Sequence, residues 1–191
     1  MFRLLYKFLF RLAGWKTISK LPADLKKGLF AVAPHATWQD FMLGVGTRSD
    51  LGLWIGYLGK AELFKPPLGW LFRALGGTPV IRTHSTNFVE QVAETFNNHE
   101  ELLVAIAPEG TRKNVKKLKT GFYYMAYTAK VPIIMVGFDY PRKTIFVEEP
   151  FYPSGDFEAD MKKYFLPFYK GIQGIKKDWF RNYEEGKFNE K

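Results

Sequence analysis

The sequence predicts an α/β fold: a single domain with a mostly parallel sheet flanked by helices, preceded by an N-terminal amphipathic interfacial helix. Short apolar runs such as Leu102–Ala107 alternate with longer stretches of helical periodicity, a pattern typical of α/β domains. The 191 residues are 47% hydrophobic, which is enough to bury one core. Because no repeat or linker divides the chain, we expect residues 1–20 to form the helix with its connector and residues 21–191 to form the α/β domain.

The composition limits the chemistry that the chain can perform. Cysteine is absent, which excludes disulfides, thiol nucleophiles and cysteine-ligated metals. The three histidines show no metal-binding spacing, so we expect no metal site. A formal net charge of +9 indicates an anionic partner. Combined with an aromatic content of 17%, that charge favours a lipid surface over nucleic acid.

Residues 2–15 predict a helix that lies in the plane of a membrane surface. Arg3, Lys7 and Arg11 recur every fourth residue and form one stripe, while large apolar side chains cover much of the rest. The interrupting cations argue against a signal peptide, and no run of 18 uncharged apolar residues occurs that could span a bilayer. The alternative is a helix whose apolar face packs on the core while the stripe lies in water. We interpret Lys16–Lys27 as a polar connector.

The stretch Gly28–Phe41 predicts a buried strand followed by a turn and a helix. Its apolar run, Leu29–Ala33, is bounded by glycine and proline and predicts a buried strand. Pro34 cannot donate to a sheet ladder, so the strand should end there. Asp40 opens a second apolar segment, in whose first helical turn a carboxylate is favoured by the helix dipole.

The later segments alternate in the same way. We predict strands at Leu51–Tyr57, Thr78–Ile81, Leu102–Ala107 and Val131–Phe138, and an edge strand at Thr144–Val147. We predict helices at Leu68–Leu75, from Asn87 to about Asn98, at Gly121–Lys130 and at Asp156–Tyr169, and the charged, aromatic tail after Gly174 is compatible with a further helix.

His35 and Asp40 follow the first strand with four residues between them. In an open α/β sheet, the carboxyl ends of the strands form the edge where ligands bind. A neutral imidazole can take a proton from a hydroxyl, and an aspartate on its other nitrogen fixes its tautomer and orientation. The pair therefore predicts a general base, with a hydrogen-bonded structural histidine as the alternative.

Cationic residues follow the other predicted strands. Lys60, Arg82 and Arg112 come after the second, third and fourth strands, and crossover topology brings such strand ends to one edge. A planar guanidinium suits phosphate, and Gly110 permits a close backbone approach that could add N–H donors. These residues therefore predict a phosphate site, although for each cation alone a solvated surface charge is the alternative.

Four blocks of the sequence resemble one family. PHATWQDF (34–41) and APEGTR (107–112) are similar to the His-x4-Asp and Pro-Glu-Gly-x-Arg blocks of glycerolipid acyltransferases of the lysophosphatidic acid acyltransferase type. GGTPVIR (76–82) and VPIIMVG (131–137) are similar to that family's second and fourth blocks. Pro79, Ile81 and Met135 depart from the usual pattern, which leaves the identity of the acceptor open.

The resemblance implies acyl transfer from a thioester of acyl carrier protein or coenzyme A to a lysophospholipid hydroxyl, such as that of 1-acylglycerol 3-phosphate, with no further cofactor. It implies that His35 is the general base and that Asp40 orients it. Six residues are implied to bind the glycerol phosphate of the acceptor: Lys60, Arg82, Glu109, Gly110, Thr111 and Arg112.

The resemblance also implies a location and partners. A small acyltransferase of this kind is typical of bacteria, peripheral on the cytoplasmic face of the inner membrane, with membrane lipids and a thioester donor as partners and no nucleic acid. Three alternatives stay open: another lyso-lipid acceptor such as an aminolipid or glycolipid, a hydrolase in which His35 activates water, and a non-enzymatic module that binds membranes or polyanions.

Overall fold

A seven-stranded sheet forms the centre of the protein. The structure is a computed structural model that describes residues 2–80, 85–173 and 177–188. The strands are β1 (Lys16–Ser19), β2 (Lys27–Ala33), β3 (Ile55–Lys60), β4 (Gly77–Val80), β5 (Leu102–Ile106), β6 (Ile133–Asp139) and β7 (Thr144–Val147). Their spatial order is β1-β7-β6-β2-β5-β3-β4, and all neighbouring pairs are parallel except β6 and β7. The predicted α/β fold with a mostly parallel sheet is therefore confirmed.

Helices cover both faces of this sheet. They are α1 (Phe2–Leu12), α2 (Gln39–Leu51), α3 (Gly69–Ala74), α4 (Ser85–Asn97), α5 (Gly121–Ala129), α6 (Phe157–Asp160), α7 (Leu166–Lys170) and α8 (Asp178–Glu184). A 3₁₀-helix at Ala61–Phe64 and a π-helical turn at Met161–Phe165 complete the helical segments within the described ranges.

The side chains of the central strands alternate between two cores. Leu29, Ala31 and Ile133 belong to a core beneath α4, α5 and the C-terminal helices, which we call the first core. Phe30 and Ile134 point to the opposite face and join a second core with α1 and α2. Because successive strand residues face opposite sides of a sheet, α1 and α2 lie on the other side from α5 and α8.

Two boundaries near the N-terminus differ from the predictions. The connector predicted at Lys16–Lys27 contains β1, which pairs with Thr144–Val147, so β7 lies second from the edge rather than at the edge. Three of the four β1 residues are exposed, which explains why no apolar pattern marks this strand. Further on, α2 continues to Leu51 and ends at Gly52, whose φ of 77° is favourable for glycine. The next strand therefore begins at Ile55 and not at Leu51.

The helix predicted at Asp156–Tyr169 is interrupted. Its middle, Met161–Phe165, is π-helical, and α-helical geometry resumes at Leu166. Pro167 lacks an N–H group and cannot donate the α-helical hydrogen bond to Lys163. A wider turn just before a proline accommodates this missing bond.

The helix α1 packs on α2, and its half-exposed basic stripe contacts the C-terminal end of that helix. The Arg11 guanidinium lies 2.8 Å and the Lys7 ammonium 3.6 Å from the Asp50 carboxylate, and Arg3 donates to the Gly52 carbonyl at 3.4 Å. Five apolar side chains of α1 are between 47% and 71% exposed: Leu4, Leu5, Phe8, Leu9 and Leu12. The predicted helix is thus present, but its cations attach it to the domain, and most of its apolar surface faces outward.

Candidate active site

Three neighbouring strands end at one edge of the sheet, and the residues that follow them form the candidate site. β6, β2 and β5 are adjacent and parallel. Tyr140 directly follows β6, His35 comes shortly after β2, and Glu109 comes shortly after β5. The sheet topology therefore brings together residues that are far apart in the sequence, at the edge where α/β proteins bind ligands.

His35 and Asp40 form the hydrogen-bonded pair that their spacing predicts. The distance between His35 Nδ1 and Asp40 Oδ2 is 3.0 Å, with the imidazole 23% exposed and the carboxylate 1% exposed. Asp40 lies in the first turn of α2, as expected. Because Nδ1 faces the carboxylate, Nε2 is the ring nitrogen that can accept a proton from a substrate.

Asp40 is held by further donors around both of its oxygens. Oδ2 also accepts the backbone N–H groups of Ala36 at 2.6 Å and Thr37 at 2.8 Å. Oδ1 accepts the Thr37 hydroxyl at 3.1 Å and the Tyr140 hydroxyl. Burial raises the pKa of Asp40, but the hydrogen bonds from His35, Tyr140 and the two backbone amides outweigh it and lower the pKa to about 2. The carboxylate is therefore ionised at neutral pH, as an orienting partner of an imidazole must be.

Tyr140 is a site residue that the sequence motifs did not reveal. Its ring lies edge-on to Trp15, with ring centroids 5.5 Å apart, so the segment after α1 packs against the site. Burial, together with the hydrogen bond to Asp40, raises the pKa of Tyr140 to about 12, which keeps the hydroxyl protonated and able to donate. The only sequence signal for this role was the position of Tyr140 directly after a buried strand.

A buried ion pair holds the backbone of His35. Glu109 Oε1 accepts the His35 backbone N–H at 2.7 Å, while Lys177 Nζ lies 2.7 Å from Glu109 Oε2 and donates to the His35 carbonyl at 3.1 Å. The Glu109 side chain has no exposed surface, and that of Lys177 is 8% exposed. Burial raises the pKa of Glu109, although Lys177 and the His35 amide oppose that rise.

The structure shows which groups Glu109 contacts, and its implied contact with the acceptor stays a prediction. The Glu109 carboxylate has no exposed surface; its Oε1 accepts the His35 N–H, and its Oε2 lies 2.7 Å from the Lys177 ammonium. Its contact with the His35 backbone N–H is of the kind that positions a neighbouring residue. Lys177 was missed because it lies in a charged tail segment that no motif covers.

The three residues after Glu109 differ in what they offer a substrate. Gly110 has a φ of 66°, a conformation that favours glycine, and its N–H is already bonded within a backbone turn. The Thr111 hydroxyl accepts the Lys113 N–H at 3.2 Å and stabilises the same loop. Arg112 is exposed and lines the same cavity as His35. Of these three, Arg112 offers an accessible charged group.

Two predicted phosphate-binding residues cannot be placed. Arg82 lies outside the described residues, and so does the side chain of Lys60, whose backbone ends β3. Both β3 and β4 run parallel to β5 and end at the same edge as the site. Their proposed contact with phosphate stays a prediction.

An apolar cavity of about 460 Å³ lies between α2 and the sheet. His35, Asp40 and Arg112 contribute polar groups to its lining. Aromatic and aliphatic side chains form much of its wall, among them Phe30, Val32, Phe41, Val45, Ile55, Phe72, Val136 and Phe138. This volume and lining are typical of a small-molecule site.

The site combines an imidazole, a carboxylate hydrogen-bonded to it and a guanidinium beside apolar walls. Such an arrangement can deprotonate a hydroxyl while an alkyl chain and an anionic group are held nearby. Among the residues that the structure describes, no cluster of three or more His, Asp or Glu side chains could hold a metal ion. Across the same residues, no helix has the length and apolar character needed to traverse a lipid bilayer.

Comparisons with known proteins identify the family. The acyltransferase family model matches residues 15–139, well over half of the chain. The fold is similar to that of the 1-acyl-sn-glycerophosphate (LPA) acyltransferase PlsC from Thermotoga maritima, with a TM-score of 0.59 and 21% sequence identity, covering 91% of this chain and 78% of that chain. Comparison with the curated proteins gives no match. The matched range includes His35, Asp40 and Arg112, whereas Tyr140 and Lys177 lie beyond it. The chain belongs to the acyltransferase family and is an acyltransferase, as its four sequence blocks predicted.

Proposed function

We propose that the protein transfers a fatty acyl group from an acyl thioester, carried by acyl carrier protein or coenzyme A, to a hydroxyl of a lysophospholipid such as 1-acylglycerol 3-phosphate. The observation that carries this proposal is the His35–Asp40 pair on the wall of an apolar cavity. The family gives the type of reaction. The similar fold of an enzyme named for lysophosphatidic acid supports the choice of acceptor.

In this proposal His35 is the general base. Nε2 takes the proton of the acceptor hydroxyl as its oxygen attacks the thioester carbonyl carbon, and Asp40 stabilises the imidazolium that forms. The tetrahedral intermediate then breaks its carbon–sulfur bond, and the proton on Nε2 passes to the departing thiolate. The acceptor leaves as an ester, the donor leaves as a thiol, and His35 is again neutral, without a covalent enzyme intermediate.

The cavity is assigned to an acyl chain. Its walls come from α2 and the neighbouring strands, and they meet the site at His35. Each methylene transferred from water into such a cavity is worth about 0.8 kcal/mol, so a long chain would bind favourably there.

Arg112 is assigned to the acceptor phosphate. Its exposed guanidinium can bind a phosphate through two parallel hydrogen bonds, next to the base that activates the hydroxyl. Arg82 and Lys60 are expected to add positive charge from the adjacent strands β4 and β3.

We also propose that the protein acts at a membrane surface, on the cytoplasmic face of the inner membrane. The outward apolar side chains of α1 are suited to the interfacial region of a bilayer. Trp38 and Met42, which are 65% and 43% exposed, flank Asp40 in sequence, so a membrane contact of α2 would lie close to His35. A lyso-lipid could then reach the base without moving its chain through water.

The test is an assay of the purified protein with a long-chain acyl thioester and 1-acylglycerol 3-phosphate in vesicles. We expect thiol and diacyl product to form in equal amounts, and His35→Ala to lower the rate by about 100-fold or more. Thiol release with free fatty acid instead of diacyl product would identify a hydrolase. Faster reaction of an aminolipid or glycolipid acceptor would reassign the acceptor, and full activity of folded His35→Ala would contradict the mechanism.

A further inference from the structure

A basic loop next to the site carries charge that the rest of the domain does not neutralise. Residues 112–119 lie in the connection between β5 and α5 and contain five exposed cations and no acidic residue. We call this segment the cation loop; its cations are Arg112, Lys113, Lys116, Lys117 and Lys119. In the part of the chain that the structure describes, none of the five forms an ion pair.

The helix α8, which contacts the loop, carries acidic residues that are paired with other cations. In α8, Asp178 lies 3.0 Å from Arg181, and Glu184 lies 3.7 Å from the ammonium of Lys170. The positive potential of the cation loop is therefore directed to solvent.

The cation loop is held in place by α8 and the first core. The side-chain oxygen of Asn114 accepts the Asp178 backbone N–H at 3.0 Å. Leu118 is buried in the first core, and its N–H donates to the Tyr183 hydroxyl at 2.9 Å. A loop fixed in this way loses little conformational freedom when it binds a partner.

The position of the cation loop favours a soluble partner over the membrane. Leu118 belongs to the first core, whereas Phe10 of α1 belongs to the second core on the opposite face of the sheet. With a bilayer against α1, the end of the loop at Leu118 therefore lies on the side facing away from the lipid. The other end of the loop begins at Arg112, which reaches the cavity that His35 lines.

We propose that the four lysines of the cation loop dock an acidic carrier protein that delivers the acyl group as a thioester, while Arg112 is left to the acceptor phosphate. This inference rests on the proposed function and deepens it by choosing between the two donor classes. The lipid acceptor enters from the bilayer side, and the carrier protein binds from the aqueous side, so both substrates meet at His35 without competing for one surface. Complementary charge gives such a complex its association rate and its specificity.

The test uses the full chain with two donors, the acyl carrier protein thioester and the coenzyme A thioester of the same fatty acid. The variant Lys113→Glu/Lys117→Glu reverses two exposed charges that lie outside the substrate site. The matched control, Lys26→Glu/Lys130→Glu, makes the same charge change at exposed positions at the opposite, amino-terminal end of the strands. Binding of acyl carrier protein is measured by calorimetry, beside steady-state kinetics and anionic-vesicle co-sedimentation.

We expect the loop variant to raise the KM for the carrier-protein donor by about tenfold or more with little change in kcat, and to weaken carrier binding equally. The control should retain parental values, and both variants should use the coenzyme A donor and bind vesicles like the parent. Unchanged carrier binding would overturn the proposal. An equal rise in KM for coenzyme A would assign the loop to the donor's phosphates, and weaker vesicle binding would assign it to anionic lipid; either result overturns it. If no donor supports acyl transfer, the proposed function fails. Calorimetry still shows whether acyl carrier protein binds the cation loop.

Discussion

The loop that carries His35 and the helix α1 are built in opposite ways. Around His35 the polar groups are buried and paired: Asp40 accepts five hydrogen bonds, and Glu109 and Lys177 form an ion pair. On α1 the half-exposed cations pair with the domain and Phe10 enters the second core, while other large apolar side chains such as Phe8 are exposed.

Under the proposed function, this difference assigns catalysis to the His35 region and membrane location to α1. In the buried network, removal of one partner leaves another group uncompensated, so substitutions there disturb the geometry of the base. On α1, substitution of an outward apolar residue leaves the packing of the domain unchanged and alters only what the surface binds. Changes near His35 should therefore lower activity on every acceptor, and changes on α1 only on acceptors in a bilayer.

The largest effect is expected from Asp40→Asn. An amide cannot stabilise the imidazolium and can hold the wrong tautomer of His35, so kcat should fall by about 100- to 10,000-fold. Kinetics on a water-soluble short-chain acceptor would measure this loss, with circular dichroism as the check on folding. A well-folded Asp40→Asn enzyme with more than a tenth of the parental kcat would mean that Asp40 does not orient the base.

The second expected effect concerns the ion pair beneath His35. Lys177→Met leaves Glu109 buried without its partner, which should destabilise the protein by about 3–5 kcal/mol in urea unfolding at neutral pH. Without Lys177, burial alone raises the pKa of Glu109. The stability that Lys177→Met loses relative to the parent should therefore grow as pH rises above 4.5, the ordinary pKa of glutamate, and shrink as pH falls towards it.

The double variant Glu109→Gln/Lys177→Met serves as the control for this pair. It removes both charges and should recover much of the stability. If Lys177→Met alone is as stable as the parent, the pair does not hold the His35 backbone.

The third prediction concerns membrane binding by α1 and leaves catalysis unchanged. Phe8→Asp places a charge on the outward face of α1 and should weaken vesicle binding roughly ten- to a hundredfold, the equivalent of one large apolar side chain lost from the bilayer. Tyr152→Asp is the matched control, since Tyr152 is 68% exposed and far from α1 in the sequence. Equal vesicle binding by both variants would place the membrane contact elsewhere.

The smallest expected effect is that of Tyr140→Phe, which removes one of five donors to Asp40 and should cost about 1 kcal/mol of stability at pH 7. The hydrogen bond lowers the pKa of Asp40, so this stability is fully present above the ordinary value of 3.8 and is lost as pH falls towards about 2. Urea unfolding of parent and variant at pH 7 and pH 3 measures the difference. A deficit that is larger at pH 3 would contradict the assigned hydrogen bond.

The sequence predicts those parts of the site whose geometry is local. His35 and Asp40 lie at one junction between a strand and a helix, so their spacing alone places them together. The contacts of Glu109 and Tyr140 depend on strand order and on a C-terminal segment, which no local pattern encodes.

The same limit applies to the fold. Apolar runs reveal the buried strands β2, β5 and β6, but not β1, which is largely exposed at the sheet edge. On α1, periodicity predicts the basic stripe but not the direction in which it points, because that direction depends on Asp50, a residue of another helix.

One set of rates tests the separation of catalysis from location most directly. The parent, His35→Ala and Phe8→Asp are each assayed on a vesicle-embedded acceptor and on a short-chain, water-soluble acceptor with the same headgroup. We predict that His35→Ala loses about 100-fold or more on both acceptors, whereas Phe8→Asp loses activity only on the vesicle-embedded one. Equal losses of Phe8→Asp on the two acceptors, or near-parental rates for His35→Ala on either, would contradict the account.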